Sequence, residues 1–309
     1  MEHLTMRVSS STFVICSIIG TVLFCGAPGC GKKSLTINDR LSMAQEKPPG
    51  PQQAAALLSV ASRQAAAEDH IGAYDTITAA YEQVSAGGEE NVVTLLNIAQ
   101  AYIDIDERRK ARVVLTRVSD IAKAIDDEGR KAKTLADVGA LFGNTETGMA
   151  DPRQAKLLLD EATELADTVE ERFRAEALAV VAMGYVSGGM AEEAGAMVEK
   201  LESCLAALSD PRAKSEALAA ASSVYAKTGN AEKATSLLSE AASTAAGIDR
   251  DESKAYALLS VANATATNGD TPAAIKLLEQ ADEAAGKVGD PDAQANVRNV
   301  IRATMTRLQ

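Results

Sequence analysis

Tryptophan is absent from the 309 residues, and aromatic residues of all kinds make up only 3% of them. The strands of sandwiches and barrels draw on β-branched and aromatic side chains, so this scarcity argues against an all-β fold. Histidine occurs twice, at His3 and His70, too little for a histidine-based triad or metal centre. Of the four cysteines, Cys16, Cys25 and Cys30 fall in the first thirty residues, which leaves Cys204 without a disulfide partner in the rest of the chain. Cations are the minority charge: 31 Lys and Arg face 43 Asp and Glu, for a net charge of −12. Affinity for nucleic acid rests largely on cations that neutralise phosphates, so neither DNA nor RNA is an expected partner. What is abundant is alanine, 59 residues in a chain that is 46% hydrophobic, and small apolar side chains suit tight helix-on-helix packing.

The N-terminus reads as an address. Residues 13–24 (FVICSIIGTVLF) form an apolar run of twelve, preceded by Arg7 and followed by Lys32 and Lys33. A membrane span needs about 20 apolar residues, whereas a secretory h-region needs about this many. Ala27-Pro28-Gly29-Cys30 then places a small residue directly before a cysteine, similar to a bacterial lipobox. That similarity implies lipidation at Cys30 after removal of residues 1–29; an uncleaved N-terminal anchor is the alternative. Either leaves the body exported and tethered, and Gly31 after the cysteine implies outer-membrane sorting if the Gram-negative rule applies. Residues 30–52 read as the lipidated cysteine and a polar, proline-containing linker (Pro48-Pro49-Gly50-Pro51), with a reach of roughly 25 Å if flexible.

Residues 26–34 (GAPGCGKKS) also come close to the phosphate-binding loop GxxxxGK[ST], in which backbone amides cradle phosphates and the hydroxyl holds Mg²⁺. Here Lys33 stands at the hydroxyl position and Ser34 comes one residue late. No amphipathic helix is expected in the segment that follows, and no later apolar strand ends in Asp, so a nucleotide-binding enzyme is the weakest of the readings.

The body, residues 53–309, is periodic. Leu178, Val181, Ala182, Tyr185, Gly189, Ala194, Val198 and Leu201 recur forty residues later as Leu218, Ala221, Ser222, Tyr225, Gly229, Ala234, Leu238 and Ala241. Leu258, Val261, Ala262, Thr265, Gly269, Ala274, Leu278 and Ala281 follow forty further on. The pattern also runs upstream through Leu57, Val60, Ala61 and Gln64, and through Leu95, Ile98, Ala99 and Tyr102. A further copy has Leu135, Val138, Gly139 and Phe142, then Ala155, Leu159 and Ala162, its halves separated by four extra residues within Gly143–Gly148. Spacings of three and four put the apolar residues on one helix stripe. Gly189, Gly229 and Gly269 suit helix C-caps, and Asp before Pro at 151–152, 210–211 and 290–291 suits helix starts. The expected fold is all-α: a solenoid of about six helical hairpins closed by a C-terminal cap helix from Asp292 to Leu308.

This signature of Leu, small residue, Tyr, turn Gly, Ala, large apolar residue and Ala resembles the tetratricopeptide repeat (TPR) over roughly residues 53 to 289. The period exceeds the usual 34 residues. Leu replaces the family's Trp, and its closing Pro is missing. The resemblance implies a protein-binding inner face built from first-helix positions, here Leu58, Leu96, Gln100, Ile103, Met183, Val186, Ser223, Tyr256, Leu259 and Asn263. These are apolar to neutral and lack the Lys/Asn/Arg set of chaperone-binding TPRs, so a segment of another protein, helical or extended, is the expected ligand, with inter-repeat core as the alternative role for several of them.

No residue pattern demands catalysis, a metal or a cofactor. Cys204 reads as a structural thiol and His70 as a solvated turn residue. Glu164, Asp167, Glu170 and Glu171 read as a solvated helix end, and Asp104, Asp106 and Glu107 supply too few ligands for a calcium loop. The expectation is a membrane-tethered, non-enzymatic interaction scaffold of the bacterial envelope, with a structural, self-assembling component as the competing possibility. Fatty-acid labelling tests the tether: label is expected on the wild-type chain and lost in Cys30→Ser, and label that persists in the variant rules out Cys30.

Overall fold

The computed structural model describes residues 35–205 and 207–308. Among the described residues are fourteen α-helices, one turn of 3₁₀ helix and no strand. Twelve helices pair into six hairpins: α2 (Pro51–Ala66) with α3 (His70–Val84), α4 (Val92–Asp104) with α5 (Arg108–Lys123), and α6 (Glu128–Gly143) with α7 (Pro152–Thr168). They continue as α8 (Glu171–Ser187) with α9 (Ala191–Leu205), α10 (Pro211–Lys227) with α11 (Ala231–Ala246), and α12 (Asp251–Thr267) with α13 (Thr271–Ala285). First helices lie side by side, α6 on α8, α8 on α10 and α10 on α12. A last helix, α14 (Pro291–Leu308), buries Val297, Ile301 and Thr304 against α12 and α13. The periodicity is thus realised as an all-α solenoid with a C-terminal cap helix.

One turn joins the halves of every hairpin. A residue with positive φ follows each first helix: Glu68 (61°), Asp106 (62°), Ala150 (53°), Gly189 (73°), Gly229 (90°) and Gly269 (95°). In five hairpins the next N–H donates back to the carbonyl of residues 64, 102, 185, 225 and 265, at 2.8–3.1 Å, which satisfies a helix-end acceptor. In the remaining hairpin Asp151 N–H reaches the Phe142 carbonyl at 2.7 Å, so the inserted residues close on the register-equivalent acceptor. Asp69, Asp151, Asn230 and Asp270 then cap the second helix by accepting an N–H from the third residue on.

Small residues set the helix separation. Ala61, Ala99, Ala182 and Ala262 are buried at one position of the first helices, and Ala73, Ala111, Ala155, Ala194, Ala234 and Ala274 at one position of the second. Ser222 takes the alanine place in α10, where its hydroxyl donates to the Ala234 carbonyl (2.8 Å) and accepts from Asn268 Nδ2. In the third hairpin even alanine is too large. A Cβ on Gly139 would stand 2.8 Å from Leu159 Cγ, and one on Gly184 would stand 2.4 Å from Leu159 Cδ2. Leu159 is therefore clamped between α6 and α8, which brings those helices close.

Tyrosines at one repeat position bond adjacent hairpins together. Tyr102 OH lies 2.9 Å from Thr78 Oγ1 on α3, and Tyr185 OH donates to Asp160 Oδ1 on α7 at 2.7 Å. Burial pushes the Tyr185 phenol up to about 12, so it remains a donor at any physiological pH.

The segment expected to be linker is partly folded. Residues Ile37–Gln45 form helix α1, opened by a capping box in which Thr36 and Asp39 satisfy each other's backbone N–H groups. Ala44 is buried, Ile37 and Leu41 pack on the core, and Gln53 Nε2 ties the following turn by donating to the Gln45 and Lys47 carbonyls. The linker reading of 30–52 is therefore corrected over this stretch, because the i, i+4, i+7 spacing of Ile37, Leu41 and Ala44 gives α2 an apolar partner. The leader 1–29, Cys30 and the near-match loop 26–34 lie outside the described residues. No described helix is long and apolar enough to cross a membrane.

The positive-φ position yields a stability prediction of two signs. A non-glycine residue in the left-handed region loses about 1–2 kcal/mol, against roughly 0.5–1 kcal/mol of extra chain entropy for glycine. Glu68→Gly is therefore expected to stabilise the fold by about 0.5 kcal/mol. Gly229→Ala, with no atom within 4 Å of the added Cβ, is expected to destabilise it by about 1 kcal/mol through the backbone alone. Urea titrations check both, and equal signs would refute the assignment.

Candidate binding groove

The face made by the first helices carries a groove of about 1170 Å³. Its walls are α6, α8 and α10, with Gln100 of α4 at one end and Ser260 of α12 at the other. Asn144 and Thr147 of the insertion border one edge, and residues 207–210 between α9 and α10 border another. The lining is rich in small residues, including Ala136, Ala140, Ala175, Ala179, Ala213, Ala217 and Ala220.

One helical stripe recurs through it. On α8 the stripe is Glu176, Val180, Met183 and Ser187, spaced i, i+4, i+7, i+11. The equivalent positions give Asp137, Ala140 and Asn144 on the third hairpin, Glu216 and Ala220 on α10, and Ser260 on α12. Of the ten sequence-predicted positions, the groove brings together Gln100 and Met183. Leu58, Leu96, Ile103 and Leu259 are buried in the core, and Ser223 is buried with its hydroxyl donating to the Ala219 carbonyl (3.2 Å). Val186, Tyr256 and Asn263 are half-buried and outside the lining. The Tyr256 ring lies 4.7 Å from the Arg212 guanidinium, and Asn263 Oδ1 accepts from Arg307 of α14 (2.9 Å). Sequence reasoning missed Asp137, Glu176 and Arg212. The missed signal was the position directly before the aligned Val138, Val181, Ala221 and Val261, which holds Asp137, Val180, Ala220 and Ser260.

The insertion has a definite destination. Gln100 Nε2 donates to the Thr147 carbonyl (2.9 Å) and to Asp104 Oδ1 (2.7 Å), while Arg108 Nη1 donates to the Gly148 carbonyl (3.2 Å). Arg112 pairs with Asp151 at 2.9 Å, where the second helix begins. The inserted residues are thus pinned onto α4 and α5 and wall the groove at the boundary between the second and third hairpins. Gln100 acts as a support of that wall.

The groove is acidic. Asp137, Glu170, Glu176, Asp210 and Glu216 line it, with Arg212 the one cation among the described side chains of the lining. That cation is already engaged, by Glu216 at 2.8 Å and by the Tyr256 ring. Asp210 is occupied as the N-cap of α10. Asp137 has no hydrogen-bond or ion-pair partner among the described residues. Burial pushes its carboxyl up to about 6, and Lys133 one turn away lowers it in part. Among the described residues no three His, Cys, Asp or Glu side chains converge as a metal site requires. Cys204 is half-buried against the core of α9, His70 is exposed at the start of α3, and Asp167 pairs with Lys200 at 2.7 Å.

No family model and no curated protein matches the chain. Among solved structures it is similar to nearly identical TPR-like repeats from a Podosopora anserina kinesin light chain candidate, at 20% identity and a TM-score of 0.37, over 64% of this chain and 95% of that one. A second structure of those repeats is also 20% identical, with a TM-score of 0.36 over 64% of this chain and 96% of that one. A Rap protein complexed with Competence and Sporulation Factor is similar at 15% identity and a TM-score of 0.37, over 88% of this chain and 81% of that one. The fold assignment rests on the helices themselves.

Asp137 yields a stability prediction with a defined sign. The unfolded carboxyl titrates near its ordinary 3.8 and the folded one near 6. Between those values the folded state holds a proton that the unfolded state has released, so this residue's contribution to stability falls as pH rises through the window. Asp137→Asn is therefore expected to stabilise the fold by about 1–2 kcal/mol at neutral pH, after discounting for partial solvent access. The gain should vanish below the unfolded value. Thermal melts across that range check it, and a gain that persists in acid would refute the desolvation cause.

Proposed function

We propose that this protein is a membrane-tethered, non-enzymatic, TPR-like scaffold of the bacterial envelope, whose groove holds a segment of another protein. The observation that carries the reading is the groove itself: about 1170 Å³, larger than the roughly 300–1,000 Å³ of small-molecule sites, and walled by three parallel first helices. Small side chains on those walls let a bound chain approach the helices closely. The stacked hairpins hold the walls in place, so little ordering is needed on binding.

The lipobox-like Cys30 and the apolar run before it support the tether. Thr36 already caps α1, so the six residues after Cys30 span at most about 20 Å. A lipid at Cys30 would therefore hold the solenoid close to the membrane, at high effective concentration towards other envelope proteins.

Site-specific photo-crosslinking in the intact, membrane-borne chain tests the reading. A photoreactive residue at Met183, inside the groove, is expected to give one discrete adduct with another protein. The same residue at Leu157, which is 66% exposed on α7 and outside the groove lining, is expected to give none. No discrete adduct at Met183 would sink the groove as the binding surface. An adduct with a second copy of this chain would favour self-assembly instead.

A further inference from the structure

The groove's charge is not explained by the fold. Asp137 sits on the groove floor, in register with Val180, Ala220 and Ser260, where an uncharged side chain serves the other hairpins. It caps no helix and bonds to none of the described residues, and it stands against desolvation that disfavours its charge. Glu176 lies on the neighbouring wall helix α8, one turn before the register-equivalent Val180; it is exposed and likewise has no partner among the described residues. A half-buried carboxylate whose nearest cation is Lys133, one turn away and not bonded to it, weakens a fold, and its place in the groove points to a charge supplied from outside.

We propose that the groove takes a lysine- or arginine-bearing segment of another protein, with one cationic side chain seated on Asp137 and a second near Glu176. This inference rests on the groove being the binding surface and names the partner's chemistry. Among the described residues the carboxylates converge in no group of three or more, which favours cations strung along a chain over a metal ion. Arg212, the one cation among the described side chains of the lining, is already matched by Glu216, so it leaves the charges of Asp137 and Glu176 to an incoming cation. The apolar wall between the two carboxylates, Val180 and Met183 on α8 with Ala220 facing them, suits small or aliphatic residues between the cations. The wall pinned by Gln100 confines the segment to the third and later hairpins. The chain's net charge of −12 steers basic partners towards it before docking.

The test uses the full chain and three labelled peptides of equal length, built from Lys-Ala-Ala, Gln-Ala-Ala or Glu-Ala-Ala repeats, with binding read by fluorescence anisotropy at physiological ionic strength. The lysine peptide is expected to bind, the glutamine peptide at least about tenfold more weakly, and the glutamate peptide not at all. Asp137→Asn is expected to weaken the lysine peptide by about tenfold or more, and Glu176→Gln by roughly threefold, whereas Glu279→Gln on the exposed face of α13 leaves it unchanged. A fold more stable in Asp137→Asn, together with weaker binding, separates loss of the site from loss of the protein. If Glu279→Gln weakens binding as much as Asp137→Asn, attraction to an acidic surface explains the data and the proposal fails. If the glutamine peptide binds as tightly as the lysine peptide and Asp137→Asn changes neither, the groove reading stands and the cationic one falls. If free spermidine displaces the lysine peptide at equal concentration of charge, the site reads an amine and not a protein segment, and the proposal falls. If no peptide binds and Met183 captures nothing, the groove reading itself fails.

Discussion

Every hairpin depends on one backbone event, the capture of a helix-end carbonyl by the N–H that follows a left-handed residue. That bond turns the chain back at a fixed angle and starts the second helix at a fixed register. Once the register is set, a small residue of the first helix meets alanine of the second in each hairpin, and Tyr102 and Tyr185 reach the preceding second helix. The third hairpin shows how strong the constraint is. Four inserted residues could have moved the second helix, yet Asp151 still reaches the Phe142 carbonyl, and Ala150 takes the left-handed conformation that glycine supplies in the last three hairpins. The extra length is discharged sideways, onto α4 and α5.

That sideways excursion links the repeat to the groove. In a regular solenoid the inner face would run uninterrupted from end to end. Here Thr147 and Gly148 are held by Gln100 and Arg108 at one boundary, and Arg307 of α14 covers Asn263 at the other. The open stretch lies between them, over α6, α8 and α10. It coincides with the place where Gly139 and Gly184 clamp Leu159 and draw the helices together. An unpartnered carboxylate on the floor of such a stretch works against stability, as functional groups commonly do.

Much of this was legible in the residues. The forty-residue recurrence, the glycines before the second helices of the last three hairpins and the Asp-Pro pairs place those helices almost to the residue, because each is a local signal. The capping box at Thr36 and Asp39 was equally local, but prolines downstream and a polar composition masked it. Glu68, Asp106 and Ala150 carry no glycine signal, and their left-handed turns emerge only by analogy of position.

The inner surface was legible only to within one position. Successive helical residues point about 100° apart, so Leu58, Leu96 and Leu259 and their neighbours at 137, 180, 220 and 260 look in different directions from one helix. Periodicity, caps and alanine spacing determined by themselves that this chain would be a stack of helical hairpins, because those signals act within a turn or two of helix. Which stripe faces solvent, where the insertion comes to rest and which carboxylate is left unpaired were decided only by the tertiary structure. Each depends on how a first helix is rotated against its two neighbours, and that rotation is set by contacts between residues forty or more positions apart.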